Sequence, residues 1–275
     1  MSATKNRFSL KDFTGPKITY VNLRKMNLAA AALHALQGVA VLILADPARG
    51  IEPITTSYLT QDKLASEAVG HPVLVSATHH LFDLKLAYLV AAFFFISAIA
   101  HWLVANNYYK KYVKDLRIGI NRARWIEYAF SASTMMVGIG LLSGIFDFSS
   151  LFMIFGLVAV MSLLGLVMEV HNQTTKKTSW LSYLLGILAG IIPWLVVAVY
   201  VKDAVIYGSG IPTFVYFIYG SLFILFSSFA INMYLQYKKV GRWSNYLYGE
   251  RVYIILSLVA KSALAWQIFA GSLRP

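Results

Sequence analysis

One lysine and one glutamate lie in apolar segments, where a charged group is costly. Lys261 is in the middle of the apolar run Ile254–Ala265, and the sequence places Glu127 inside another such run. A lone ammonium at the centre of a bilayer costs about 2.5–3.5 kcal/mol. A neutral lysine amine condenses with an aldehyde, and the Schiff base, once protonated, needs a nearby anion. The two residues therefore predict either a covalently bound cofactor with a buried counterion or a structural ion pair between helices.

Four further polar residues lie in the same apolar segments. His34 and Gln37 are one helical turn apart and share a face of the first segment, and His101 lies in the second. Ser257 precedes Lys261 by one turn. Counted inward from the last basic residue, His34, His101 and Lys261 are all about 14–15 Å deep at the rise of a helix. This common depth favours a proton-holding polar network over isolated packing residues.

Large apolar side chains are frequent in these segments. Aromatic and methionine residues of this kind enclose elongated apolar ligands, although each alone is also typical of lipid-facing or plain core positions. The residues concerned are Trp125, Met135, Met136, Trp194, Phe217, Phe223, Phe226 and Trp266.

The composition excludes several classes of protein. Of the 275 residues, 58% are hydrophobic and 13% are charged, whereas a soluble domain has about 25% charged residues. This excludes a disordered chain and argues against a soluble enzyme. The chain has no cysteine and therefore no thiolate nucleophile. His71, His79 and His80 lie near Asp83, but this is a weak zinc-like grouping. We predict no metal site and no enzymatic activity.

Seven apolar runs are long enough to cross a bilayer as helices. The sequence therefore predicts an all-α membrane protein, with residues 1–275 forming a single seven-transmembrane-helix domain. The segment 46–83 between the first two runs contains the β-prone stretch Ile54–Thr60, which predicts a short β-hairpin. The predicted spans are 26–45, 84–105, 124–143, 149–169, 180–201, 212–235 and 247–270.

The distribution of charge predicts the orientation. One side of the predicted bundle carries 18 basic residues against four acids, among them Arg124, Glu169 and Glu250, and the other carries five against seven. The positive-inside rule then places the N-terminus in the cytoplasm, and the C-terminus and the loop 46–83 outside a cell membrane. The stretch Tyr108–Tyr112 is typical of a membrane interface. We therefore assign the net charge of +12 to the lipid bilayer surface and not to a nucleic-acid partner.

Several strings of residues resemble the heliorhodopsins, a family of retinal-binding microbial rhodopsins. The resemblance covers nearly the whole chain, and its longest string is in the seventh span. A cytoplasmic N-terminus fits as well, because heliorhodopsins are inverted relative to the ion-pumping rhodopsins. The strings are Trp243–Leu247, Gly249–Arg251, Leu256–Phe269, Arg124–Tyr128, Ile154–Gly156 and Pro193–Trp194.

The resemblance implies a role for each buried polar residue. Lys261 would bind all-trans-retinal covalently as a protonated Schiff base, with Glu127 as counterion and Ser257 hydrogen-bonding near both. His34 and His101 would belong to a polar, water-holding cavity that accepts or stores the released proton.

The resemblance also implies which side chains surround the polyene. Phe226 would lie against it, where microbial pumps usually have tryptophan. With it we assign four more residues to the cofactor site: Gln37, Met135, Trp194 and Phe223.

The resemblance implies a light sensor with a slow photocycle that signals to an unknown cytoplasmic partner. It further implies a homodimer, with the loop 46–83 in the dimer contact. The alternative is a light-driven proton or ion transporter. A proton pump typically needs an acceptor and a donor on opposite sides of the Schiff base, and the sequence offers Glu127 as the only membrane carboxylate. The sequence therefore favours the sensor.

Overall fold

A computed structural model describes residues 18–275 as a bundle of long helices with a small two-stranded sheet at one end. Seven of its helices are long and apolar enough to cross a membrane, which confirms the predicted number of spans. Most of the predicted basic N-terminal segment lies outside the described residues. The elements are α1 Tyr20–Leu44, β1 Ile51–Asp62, α2 Lys63–Val69, β2 Val73–Lys85, α3 Leu86–Ala105, α4 Tyr109–Arg117, α5 Arg122–Leu142, α6 Phe148–His171, α7 Leu181–Ile206, α8 Thr213–Lys238 and α9 Tyr246–Ile268.

The first spanning helix begins earlier than the hydropathy predicts, at Tyr20. The side chain of Thr19 accepts a hydrogen bond from the first turn and caps it. Arg24 reaches sideways and donates to the carbonyl of Ala105 at 2.7 Å, at the end of α3. A capped turn with a paired arginine therefore extends the helix beyond its apolar part.

The segment 106–124 is largely helical, contrary to its assignment as a loop. It contains α4, and α5 begins within it. Tyr112 and Leu116 of α4 are buried, whereas its basic side chains are exposed. This amphipathic pattern is typical of a helix that lies along a membrane surface. The exposed basic residues are Lys110, Lys111, Lys114 and Arg117.

The predicted hairpin is present, and it is longer than the sequence indicates. Strands β1 and β2 pair antiparallel from Ile51 opposite Lys85 to Asp62 opposite Val73, with a bulge after Ile54. The short helix α2 connects the two strands in place of a tight turn. The sheet thus extends the first inter-helix segment into a ribbon of about twelve residue pairs.

The ribbon is anchored to the turn between α5 and α6. The backbone N–H of Thr55 donates to the carbonyl of Phe146 at 2.9 Å, and that of Ser57 donates to the Asp147 carboxylate at 3.2 Å. The same carboxylate caps α6 by accepting from the N–H of Ser150 at 2.9 Å. One acidic side chain therefore fixes both the ribbon and the start of a spanning helix.

The bundle has two chemically different ends. We call the end with the exposed basic residues the basic end and the other the hairpin end. Helix α5 is the innermost helix, with 72% of its spanning window buried against 17–50% in the other spans. It packs against α3 and α6, and α9 packs against α1 and α8. The basic end comprises the segments 106–121, 172–180 and 239–245 with the helix turns that adjoin them, and the hairpin end comprises 45–85, 143–147, 207–212 and 269–275 with the turns that adjoin them.

Candidate functional site

Lys261 and Glu127 meet inside the bundle. The Nζ atom of Lys261 lies 3.2 Å from Oε1 of Glu127, and the two side chains are only 3% and 5% exposed. The same nitrogen donates to Oγ of Ser257 at 2.7 Å. Helical side chains lean towards the N-terminus of their helix, so Lys261 extends towards the basic end and reaches the shallower Glu127. Ser257 contacts the amine, as the spacing of one turn predicts.

Two further residues complete this ion pair, and the sequence analysis missed both. The hydroxyl of Ser97 on α3 donates to Oε1 of Glu127 at 2.6 Å. The ring of Tyr128 lies beneath the amine, with its centroid 5.4 Å from Nζ of Lys261, which is within cation–π range. A signal for Ser97 existed, because it precedes His101 by four residues and shares its helix face.

The two histidines of the predicted layer, His34 on α1 and His101 on α3, lie against each other. The His34 side chain is fully buried, and its ring stacks on that of His101 with centroids 5.6 Å apart. Nδ1 of His101 lies 2.7 Å from the side-chain oxygen of Asn27. In the part of the chain that the structure describes, both ring nitrogens of His34 and Nε2 of His101 have no hydrogen-bond partner. The predicted polar layer thus includes Asn27, which lies two turns from His34 on the same face.

Gln37 is not part of this layer. Its side chain is half-buried between α1 and α9, where it accepts a hydrogen bond from Nε1 of Trp266 at 3.0 Å. Three residues along a helix rotate a side chain to about 60° from its starting direction. This rotation takes Gln37 away from His34 towards the outside of the bundle.

An apolar cavity lies on the other side of Lys261, between helices α5 to α9. It encloses about 810 Å³, including space open to the outside of the bundle. Lys261 and Ser257 lie in its wall, and most of the remaining wall is aromatic or aliphatic. These residues fit an elongated apolar ligand that carries an aldehyde. The other lining residues include Trp125, Tyr128, Met135, Met161, Gly165, Tyr183, Gly186, Phe226, Phe229 and Met233.

Two of the four predicted apolar pocket residues lie in the cavity wall. Met135 and Phe226 line the cavity, whereas Trp194 and Phe223 do not. The Trp194 ring packs edge-on against Phe226 and Phe223, with centroids 5.7 and 5.4 Å apart. It therefore supports Phe226 from behind.

Three charges that the sequence analysis assigned to the cytoplasmic loops form a buried cluster. Nη2 of Arg124 lies 2.5 Å from Glu169, and its Nη1 bonds to Glu250. All three side chains are at most 5% exposed. The inference that Glu127 is the only membrane carboxylate was therefore wrong. The position of a charged residue near the end of a span does not show whether its side chain is buried. An ion pair stabilises the charge inside the bundle, and water stabilises it outside.

The histidines of the outer segment form no metal site. Nε2 of His80 lies 2.8 Å from Asp83, and both side chains are exposed. Within residues 18–275, no group of three or more His, Asp or Glu side chains is arranged to hold a metal ion.

Comparison with known proteins places this geometry in a family. The sequence profile of the heliorhodopsins matches residues 23–273, which cover the seven spanning helices except for the first three residues of α1. The chain belongs to the heliorhodopsin family. It is therefore a retinal protein of membranes, as the strings of the sequence indicated. No curated protein sequence matches the chain.

The architecture of this heliorhodopsin family member is that of the microbial rhodopsins. Its structure is similar to the crystal structure of LR (Mac), a light-driven proton pump from Leptosphaeria maculans, with a TM-score of 0.61. The match covers 90% of this chain and 94% of the other, at 15% sequence identity. A likeness at this identity establishes the fold and leaves the function open.

The role of Trp125 in the cavity wall is tested by a substitution at Gly165 of α6. A Cβ at this position would overlap the ring of Trp125, whereas a Cβ at Gly156 on the same helix would meet nothing within 4 Å. We expect Gly165→Ala to displace Trp125 into the cavity and to shift the visible absorption maximum of the retinal-bound protein. Gly156→Ala is the matched control and should leave the spectrum unchanged. Identical spectra for the two variants would show that Trp125 does not shape the retinal pocket.

Proposed function

We propose that the chain is a light sensor in which Lys261 binds all-trans-retinal as a protonated Schiff base and Glu127 is the counterion. The observation that carries the proposal is the 3.2 Å contact of Glu127 with Lys261, whose side chain lies in the wall of an apolar cavity. Retinal, when bound, supplies absorption of visible light and a photochemical isomerisation. We propose a sensor and not an enzyme.

The residues around the pair keep it oriented. Ser257 accepts from the lysine nitrogen, and Ser97 donates to the carboxylate. These bonds fix both partners and stabilise the charge of Glu127 in a medium that screens it poorly. Phe226 and Met135 hold the polyene in the cavity by packing.

The histidine layer is proposed to be the first acceptor of the proton that leaves the lysine nitrogen. Buried imidazoles without a protein partner are normally hydrogen-bonded to water. The paired rings of His34 and His101 and the amide of Asn27 therefore support a hydrated cavity on this side of Glu127. A slow photocycle follows if the proton returns from this cavity and does not cross the membrane.

The position of the acids favours sensing over transport. In the described part of the chain the buried carboxylates are Asp115, Glu127, Glu169 and Glu250. None of them lies between Glu127 and the hairpin end, so a relay through carboxylates on both sides of the lysine is not assembled. The additional acids lie at the basic end, on the same side as the histidines.

We further propose that the basic end faces the cytoplasm of a cell. Of the described acids at this end, Asp115, Glu169 and Glu250 are all buried, so its exposed charge is cationic. Such a surface suits the cytoplasmic face of a cell membrane and an unidentified signalling partner.

The hairpin end is proposed to be extracellular and to form the contact of a homodimer. The ribbon and the helix between its strands expose large apolar side chains that a second copy of the chain would cover. They include Leu59, Leu64, Leu74 and Phe82.

The attachment site is tested by removing the amine. Lys261→Ala should abolish the visible band formed with all-trans-retinal, because no other lysine lines the described cavity. Lys202→Ala, at an exposed position of α7, is the control and should retain the band. Borohydride reduction followed by mass spectrometry should find the adduct on the peptide that contains Lys261. An unchanged band in Lys261→Ala would refute the assignment.

The counterion is tested by neutralising the carboxylate. In Glu127→Gln the amide stabilises the protonated nitrogen less well, so the visible band should move to longer wavelength or the chromophore should lose its proton. The measurement is an absorption spectrum as a function of pH. Glu67→Gln changes an exposed glutamate of α2 and should have no effect. If the spectrum of Glu127→Gln is that of the unsubstituted protein at every pH, Glu127 is not the counterion.

Sensing and transport are distinguished in liposomes. Illumination of vesicles that contain the retinal-bound protein should produce no sustained change of external pH and no steady current. The reason is that none of the described buried carboxylates lies between Glu127 and the hairpin end. A light-driven proton pump in matched vesicles is the positive control. A sustained current that an uncoupler abolishes would establish transport.

A further inference from the structure

A second, polar cavity connects Glu127 to the buried cluster at the basic end. Glu127 and His101 lie in its wall towards the lysine, and Arg124 and Glu250 lie in its wall towards the basic end. It encloses about 360 Å³, including space open to the outside. The two carboxylates therefore face one continuous space. The remaining lining residues include Asn27, Tyr112, Asn121, Tyr128 and Tyr253.

The cluster carries an uncompensated negative charge when both of its acids are ionised. Arg124 supplies one positive charge, and it is shared by Glu169 and Glu250. Two carboxylates in one desolvated site favour the uptake of one proton, because the like charges repel and water does not screen them. The cluster is thus able to bind a proton without creating a net positive charge.

The hydrogen bonds indicate which acid takes the proton. Glu250 accepts from Arg124 and, at 2.6 Å, from the side chain of Asn121. Glu169 accepts from four donors within the described residues, and donors to a carboxylate favour its ionised form. Glu250 also lines the polar cavity, and Glu169 does not. Glu250 is therefore the better acceptor. The donors to Glu169 are the N–H of Asn121 at 2.8 Å, Arg124 at 2.5 Å, the indole of Trp125 at 2.7 Å and the hydroxyl of Tyr246 at 3.0 Å.

The other polar groups facing the cavity suit a proton path. Nε2 of His101 and Nε of Arg124 are buried without a hydrogen-bond partner in the described part of the chain. Buried atoms of this kind are normally bonded to water, which conducts protons. Tyr112 of α4 also faces the cavity, and burial raises its pKa to about 12, so it takes part as a neutral phenol.

We propose that Glu250 is a proton-binding site that receives the proton released from the Lys261 nitrogen. The inference rests on the proposed light-sensing function. The N–H bond at Lys261 breaks, the proton crosses the cavity beside Glu127 and His101, and an O–H bond forms on Glu250. The nitrogen loses one positive charge and the cluster gains it, so charge is conserved within the protein.

Proton uptake at this position would also change a contact between two helices. Arg124 is on α5 and Glu250 is on α9, the helix that carries Lys261. A protonated carboxyl attracts the guanidinium less than a carboxylate does. Arg124 then pairs with Glu169 of α6 alone, and the contact between α5 and the basic end of α9 is weakened. This links the chromophore to the surface that faces a signalling partner.

The proposal is tested by light-minus-dark infrared difference spectroscopy of the retinal-bound protein. We expect a C=O band of a protonated carboxylic acid that rises while the chromophore is deprotonated. Glu250→Gln should lose this band, and Glu250→Asp should shift its frequency. Asp115→Asn is the matched control, since it changes a buried acid of the basic end that pairs with Arg122 outside the cluster, and it should retain the band. A band that persists in Glu250→Gln, or no such band in the unsubstituted protein, would overturn the proposal.

The retinal-free protein gives an independent measurement. Lowering the pH in the infrared cell should protonate Glu250, so a buried C=O band should appear that is absent in Glu250→Gln and present in Asp115→Asn. A band that persists in Glu250→Gln would contradict the inference even where a visible pigment forms. If no pigment forms with retinal, the sensor proposal fails, and this titration still decides whether Glu250 binds a proton.

Discussion

A buried charge in a medium that screens poorly is the constraint on which the site depends. Lys261 cannot reach water from the middle of α9, so its charged form requires the carboxylate of Glu127 at 3.2 Å. That contact fixes the rotation of α9 relative to α5 and the depth of both residues. The same constraint explains why the hydrogen-bond partners of the pair are the hydroxyl groups of Ser97 and Ser257 and not further charged groups. A hydroxyl stabilises either partner without adding a charge to be buried.

Helix α5 separates two environments, and its helical period determines which residues face each. Trp125 lines the apolar cavity, Arg124 and Glu127 line the polar one, and Tyr128 lies in the wall of both. Two adjacent stripes of a single helix therefore place an apolar chamber on one side of Lys261 and polar groups on the other.

The microbial rhodopsin fold is compatible with more than one use of light, so the fold does not assign the function. The same architecture is found in a light-driven proton pump with 15% sequence identity to this chain. The difference that bears on function is where the ionisable side chains lie. In this heliorhodopsin family member the described buried acids other than Glu127, namely Asp115, Glu169 and Glu250, all lie at the basic end. This one-sided distribution is the basis on which a sensor is proposed in place of a proton pump.

The sequence by itself determined the seven helices, the family and the residues Lys261 and Glu127, because apolar length and an isolated buried charge are visible without a fold. It did not determine that Gln37 faces outward, since a rotation of about 60° separates it from His34. Nor did it determine the cluster of Arg124, Glu169 and Glu250, which are far apart in sequence. Whether a charge near a helix end meets water or a partner depends on which helix ends adjoin, and only tertiary packing decides that.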